Sequence, residues 1–308
     1  MKELHGLFEK ITEQVGQVIF GKQEQVKLAL CCLFAQGHLL IEDIPGIGKT
    51  TLVKVLAETL GLDFRRVQCT SDMLPGDILG VSVFEQKTGQ FIFHQGPIFS
   101  QVLLSDEINR TTPKTQSALL EAMEEHQVTI EGKTRPLPSP FFVIATLNPL
   151  EQVGTFPLPE SQLDRFLFRI KLGYPDRLSE LKLLRSAGTQ RERATIRPLL
   201  SPEKVIRCQH MAARVHISDT LVHYVQNILD YTRTSPDFHI GLSPRAGLSL
   251  VRASQAWAFI SGRDYCLPED VQKLLPFVAS HRLHRIDSQA EMNSDELMNL
   301  LLTIPVPA

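Results

Sequence analysis

The stretch from Gly37 to Thr50, GHLLIEDIPGIGKT, constrains this chain more than any other. Leu39, Leu40 and Ile41 read as a buried strand, and the acids after them lead into a turn, Pro45-Gly46-Ile47-Gly48-Lys49-Thr50-Thr51. Glycines at 46 and 48 let backbone N–H groups close on a polyphosphate with no Cβ between them. Lys49 can reach its β- and γ-phosphates, and the Thr50 hydroxyl suits Mg²⁺. A helix from Thr50 to Leu60, stopped by Gly61, would point the positive end of its dipole at the same phosphates. The pattern G-x-x-x-x-G-K-[ST] departs at its first position, which is Asp43 here, but that residue lies at the strand exit and outside the cradle.

Gln101 to Arg110, QVLLSDEINR, carries a short apolar run into two adjacent acids, Asp106 and Glu107. Open parallel sheets place ligands at such a carboxyl end. Asp106 would hold the Mg²⁺ shell and Glu107 would polarise a water for in-line attack on the γ-phosphate. Alone, the pair would read as well as surface carboxylates opening the helix from Lys114 to Glu125. Downstream of a phosphate loop, the catalytic reading prevails.

A length of 308 residues suits one large and one smaller domain, and a net charge of -2 argues against a nucleic-acid backbone as partner. Five cysteines, Cys31, Cys32, Cys69, Cys208 and Cys266, are odd in number and lack metal-ligand spacing, so they read as reduced, mostly core thiols of a cytoplasmic protein. The longest apolar run, Leu28 to Ala35, is far short of the roughly 18 to 20 residues of a membrane helix, and MKELHGLFEK does not resemble a signal peptide.

Strands at about 38–42, 64–68, 102–105 and 141–146 alternate with helices at about 24–35, 50–60 and 114–125, which predicts a doubly wound parallel sheet through residue 172. Between Gly80 and Phe99 the period changes to two around Lys87-Thr88-Gly89, a β-hairpin insertion. A second hairpin is expected from Val128–Ile130 and Phe141–Val143, joined through Glu131-Gly132-Lys133 and a Pro-rich stretch. From 173 to about Leu302 amphipathic helices form an all-α lid. Trp257 and Phe259 read as its core, and His281, Arg282, His284 and Arg285 as a solvated basic helix face.

Three further positions fit the same chemistry. Asn148, at the end of FFVIATL, can orient an attacking water, although Asn-Pro also starts ordinary turns. Arg165, in LDRF, is either a surface ion pair or an arginine finger. Arg245 sits near the positive end of the helix opened by Ser243-Pro244, where an anionic ligand would explain it.

With EDIPGIGKT, LLSDEINR followed by PKTQSALLEAMEE, ATLNP, LPESQLDRF, and GLSPRA followed by GRDYCLPEDV, nearly the whole chain resembles the MoxR family of AAA+ ATPases. The resemblance implies a five-stranded AAA+ α/β P-loop core at 1–172, with the 80–99 hairpin as helix-2 insert and the 128–143 hairpin before sensor 1, and a helical lid at 173–308. It implies ATP and Mg²⁺ as cofactors, with Asn148 as sensor 1, Arg165 as arginine finger and Arg245 as sensor 2. Val18-Ile19-Phe20-Gly21 looks like the adenine-side segment, and Gln68 is a candidate to hold Glu107 inactive. A ring, commonly hexameric, is expected to do chaperone-like work on a von Willebrand factor A domain protein and a client enzyme. A small-molecule kinase, a scaffold with negligible turnover and a DNA-linked motor are the alternatives; the arginines and Asn148 oppose the first, and the lack of basic excess opposes the last.

Overall fold

The computed structural model describes residues 2–149, 154–187, 196–284, 297 and 303–306. Helices α1 (Lys2–Gly16) and α2 (Gln23–Phe34) lead to β1 (Leu39–Glu42), α3 (Lys49–Leu60) and β2 (Phe64–Gln68). Next come α4 (Pro75–Leu79), the hairpin strands β3 (Gly80–Glu85) and β4 (Gln90–Gln95), β5 (Val102–Asp106) and α5 (Pro113–Glu125). A second hairpin, β6 (Gln127–Ile130) and β7 (Lys133–Pro136), precedes β8 (Phe142–Leu147), α6 (Glu160–Leu163) and β9 (Phe168–Ile170). The remaining helices are α7 (Arg177–Ala187), α8 (Pro202–Ala212), α9 (Asp219–Thr234), α10 (Pro244–Ile260) and α11 (Pro268–Ala279).

Among the described residues the main sheet has five strands in the order β2-β5-β8-β1-β9, all parallel. Successive side chains of a strand face opposite sides of its sheet. Leu39 and Ile41 therefore enter one core with α1, α2 and α3, whereas Leu40 enters a second with α4 and α5. Val102 and Leu104 against Leu103, and Phe142 and Ile144 against Val143 and Ala145, divide in the same way. This two-faced burial is why the strands read as unbroken apolar runs.

The late helices share the first core. Phe8 of α1, Phe34 of α2 and Phe259 of α10 form a triangle with ring centroids 5.2, 5.3 and 6.0 Å apart. The Cys31 thiol donates to the Ala253 carbonyl at 3.3 Å, and Gln209 Nε2 donates to Leu33 O at 2.8 Å, so α2 is clasped from both α10 and α8. Phe259 is fully buried and Trp257 packs at the edge of this core, as their helical spacing suggested.

Several expectations change. The second hairpin closes on β7, not on Phe141–Val143: Glu131 and Gly132 take positive φ values of 52° and 73°, which turns the chain back within two residues. Phe142–Leu147 instead lies in the main sheet between β5 and β1. Phe168–Ile170 supplies the fifth strand that the family resemblance implies, unmarked by periodicity because Arg169 stands mid-strand, buried against Glu42. His281 and Arg282 do not form a solvated helix face. Helix α11 stops at Ala279, and His281 is fully buried with Nε2 against the Phe166 carbonyl at 3.0 Å. Arg282 is buried on Asp164 at 2.6 Å; His284 faces Glu160, and Arg285, like most of the stretch to Leu302, falls outside the described residues.

The β3–β4 hairpin exposes both faces. Val81, Val83 and Ile92 share one, Phe84 and Phe91 the other, and Phe91 is 72% exposed. Phe93 packs inward, on Phe99 and under the Arg135 guanidinium at 3.9 Å. Ser82 Oγ donates to Glu131 Oε2 at 2.6 Å, tying one hairpin to the other. Among the described residues no helix is long and apolar enough to cross a membrane.

His38, just before β1, gives a pH test of this packing. The Val143 amide donates to its Nδ1 and its Nε2–H donates to the Met123 carbonyl, fixing one neutral tautomer, and burial pushes its pKa down to about 4. Because the folded value lies below the unfolded one, the neutral ring contributes stability above pH ~6.5 that is lost as pH falls from there toward 4. Urea unfolding of wild type against His38→Asn should show the wild type losing up to about 3 kcal/mol more across that window. Parallel pH profiles would contradict the assignment.

Candidate active site

The phosphate-loop geometry follows from its glycines. Gly46 and Gly48 have φ of 85° and 93°, values that side-chain-bearing residues rarely adopt, and a Cβ added at Gly46 would meet no heavy atom within 4 Å. The loop therefore turns its backbone toward open space at the start of α3. Lys49 Nζ donates to the carbonyls of Asp43 at 2.5 Å and Ile44 at 3.0 Å, lying along the loop that it opens. Burial lowers its pKa, opposed by the charges of Asp43, Asp106 and Glu107. Asp43 has a role of its own at the position where the pattern wants glycine. Its Oδ1 accepts from Ile44 N at 2.9 Å and its Oδ2 from Gly173 N at 2.6 Å, fastening the loop to the segment that follows β9. Lys22 donates to the Leu172 and Tyr174 carbonyls at 2.6 and 2.8 Å. Gly21, φ 71°, presses so closely on Asp176 and Ser179 that a Cβ would lie 2.6 Å from Ser179 Oγ. Ile19 Cδ1 lies 4.0 Å from the place of a Cβ on Gly48, so the Val18–Gly21 segment borders both the loop and the start of α7.

Asp106 ends β5 and Glu107 follows it, one strand away from β8 and two from β1. Asp106 is buried; its Oδ1 accepts from Thr146 Oγ1 at 2.6 Å, and its Oδ2 faces Thr50 Oγ1 at 3.4 Å and accepts from Arg66 at 2.7 and 3.1 Å. Thr50 and Asp106 offer a hydroxyl and a carboxylate oxygen to one point, a donor set that fits Mg²⁺. Glu107 sits in the left-handed region at φ 59°, its amide donating to Thr146 Oγ1 at 2.8 Å. Its carboxylate accepts from Gln68 Nε2 at 3.0 Å and pairs with Arg110 at 3.3 Å. Asn148, 4% exposed, follows β8 at the same edge of the sheet.

Arg165 and Arg245 lie elsewhere. Both pair with one carboxylate, Glu124 near the end of α5: Arg165 with Oε2 at 3.2 Å and Arg245 with Oε1. They line a cavity of about 190 Å³ with Gly37, His38, Asp164 and Arg252. Gly37 and His38 precede β1, so this cavity opens at the amino ends of the strands, whereas the phosphate loop leaves the carboxyl end. The four residues of β1 alone separate the two edges by roughly 13 Å.

Residues 38–168 match the ATPase family associated with various cellular activities (AAA), and residues 230–300 match the AAA lid domain. The chain is 38% identical to the Chaperone MoxR1 of Mycobacterium tuberculosis, an alignment spanning 99% of this chain and 83% of the relative. The chain belongs to the MoxR family of AAA+ ATPases. It is also 46% identical to the Uncharacterized protein YeaC of Bacillus subtilis, over 92% of this chain and 88% of that one. The crystal structure of a candidate ATPase from Cytophaga hutchinsonii is similar throughout, with a TM-score of 0.92 at 35% identity, covering 99% of this chain and 96% of the other.

In this MoxR-family chain the motifs alone did not reveal Thr146, Arg66 or Glu124. Thr146 lies two residues before Asn148 on β8, and the strand period could have placed it beside the acids of β5. Arg66-x-Gln68 was a visible signal, two polar side chains on one face at the carboxyl end of β2. Glu124 carries no signal, since an acid near a helix end is ordinary.

Thr146→Val keeps shape and burial but leaves Asp106 Oδ1 and the Glu107 amide without their shared partner. We expect a loss of about 1 to 3 kcal/mol in urea unfolding. Unchanged stability would mean that water satisfies both groups.

Proposed function

We propose that this chain hydrolyses ATP in a Mg²⁺-dependent reaction, as one subunit of a ring in which each phosphate loop is completed by arginines of the next subunit. The observation that carries the reading is the division of the candidate machinery between opposite edges of one sheet. Lys49, Thr50, Asp106, Glu107 and Asn148 gather at the carboxyl ends, and Arg165 and Arg245 at the amino ends. No swing of an arginine side chain spans a strand length plus the loop, so these arginines suit a neighbour's nucleotide.

In this reading Pro45 to Thr51 wrap the phosphates, with Phe20 and Gly21 on the adenine side. Thr50 and Asp106 hold the Mg²⁺, which when bound offsets charge on the β- and γ-phosphate oxygens. Asn148 orients a water and Glu107 takes its proton as it attacks in line. Glu107 must first leave Gln68 and Arg110, so the isolated chain turns over slowly and behaves as a nucleotide-dependent scaffold until engaged. Arg165 and Arg245 then stabilise charge growing on the neighbour's γ-phosphate. Residues 1–172 form the nucleotide-binding core and 173–308 the lid.

The ring, commonly of six subunits in this family, would act in the cytoplasm, a reading supported by five free thiols. Its work would be chaperone-like, on a von Willebrand factor A domain protein and a client enzyme. The exposed Val83, Phe84, Phe91 and Ile92 near the β3–β4 tip give the insert a surface for such contacts.

Glu107→Gln should keep the affinity for a fluorescent ATP analogue and lose phosphate release by on the order of 10² or more, while Lys49→Ala should lose the affinity itself. Near wild-type turnover in Glu107→Gln would remove Glu107 as the base. Deleting residues 85–90 should spare basal turnover and abolish activation of the client enzyme; full activation would remove the hairpin tip from the work.

A further inference from the structure

The edge strand β2 holds both acids of β5 by two side chains of its own. Arg66 and Gln68 stand two residues apart on one exposed face, while Val67 between them is buried. Arg66 places Nε and Nη2 on Asp106 Oδ2 at 3.1 and 2.7 Å, and the same Nη2 donates to Gln68 Oε1 at 2.6 Å. The Gln68 amide is thereby oriented with Nε2 toward Glu107 Oε2 at 3.0 Å. A single chain of hydrogen bonds runs Asp106–Arg66–Gln68–Glu107, fixed at its far end by Arg110.

The oxygen that Arg66 takes is the one that matters for a cation. Asp106 has two carboxylate oxygens: Oδ1 is turned into the core onto Thr146, and Oδ2 faces the Thr50 hydroxyl. A guanidinium and a hexacoordinate divalent cation both seek negative charge, and both cannot sit close to one oxygen without repelling each other. We propose that Arg66 competes with the divalent cation for Asp106 Oδ2 and so sets the Mg²⁺ concentration at which nucleotide is held. The inference rests on the reading of Thr50 and Asp106 as the cation ligands.

Three features fit Arg66 for a reversible role. Its side chain is 45% exposed, so releasing it into water costs little compared with a buried ion. It emerges from an edge strand, since among the described residues β2 pairs with β5 alone and no further strand blocks its way out. Asp106 keeps its Thr146 bond when Arg66 leaves, so the carboxylate stays aimed while Oδ2 is freed. Departure of Arg66 also removes the donor that orients Gln68, which couples cation entry to release of the Glu107 carboxylate.

The test is the Mg²⁺ dependence of binding of a fluorescent ATP analogue to the full chain, read apart from turnover. Mn²⁺ binding in the presence of ATP is followed in parallel by electron paramagnetic resonance. Arg66→Ala should lower the half-saturating Mg²⁺ concentration by about three- to fivefold, the scale of a half-exposed ion pair. Analogue affinity in excess chelator should stay unchanged, Mn²⁺ should bind correspondingly tighter, and Arg66→Lys should fall between. Asp106→Asn, which removes the contested charge, should abolish the difference that Arg66→Ala makes. An unchanged or raised half-saturation in Arg66→Ala, with Arg66→Lys restoring the wild-type value, would make Arg66 a positioning residue that helps Asp106 bind the cation and would overturn the proposal. If Mg²⁺ left wild-type analogue binding unaltered, the assignment of Thr50 and Asp106 as cation ligands would fail instead, and the competition with it.

Discussion

Because the five strands run parallel, whatever stands at their carboxyl ends is separated from whatever stands at their amino ends by the length of a strand. The phosphate loop leaves β1 at one edge, and the acids of β5 and Asn148 after β8 gather beside it. Helix α5 runs back to the other edge and delivers Glu124 there, next to Arg165 before β9 and Arg245 at the start of α10. Burial on both faces, seen in the division of Leu39, Leu40 and Ile41 between two cores, is the setting that a parallel sheet requires. The placement of the phosphate loop and these two arginines at opposite edges thus traces to the hydrophobic pattern of the sheet.

Electrostatics at the two edges are handled in the same manner. At each, charged groups that would interact with a nucleotide are tied to partners within the chain: Asp106 to Arg66, Glu107 to Gln68 and Arg110, and two guanidiniums to Glu124. In each of these ion pairs the guanidinium is about a third to a half exposed, so it can move into water when a polyphosphate and its cation arrive, although Asp106 itself is buried. The buried pair Glu42–Arg169 is of the other kind. It joins β1 to β9 just before the loop, and losing one partner would leave an uncompensated buried charge.

What could be read from the sequence follows from how local the cause was. The glycines at 46 and 48 are dictated by backbone dihedrals within the loop, and the strand runs by burial on both faces, so both were visible. The second hairpin was misjoined because Glu131-Gly132 already completes a turn, a two-residue signal hidden by the prolines after it. Arg169 masked a strand because its charge is neutralised by a residue 127 positions away. His281 and Arg282 looked like a surface, since nothing nearby announces that the chain turns there beneath Phe166 and Asp164. Arg66 and Glu124 have meaning only through partners brought to them by the fold.

Whether an arginine from one subunit serves the phosphate loop of another can be read by mixing two inactive variants. Arg165→Ala retains an intact loop, and Lys49→Ala retains an intact arginine. Neither alone should release phosphate appreciably, and mixtures should regain turnover, greatest near equal proportions, because some interfaces then pair an intact loop with an intact arginine. Mixtures that stay inactive at every ratio while forming rings of normal size, together with a monomeric wild-type fraction as active as the assembled one, would contradict it.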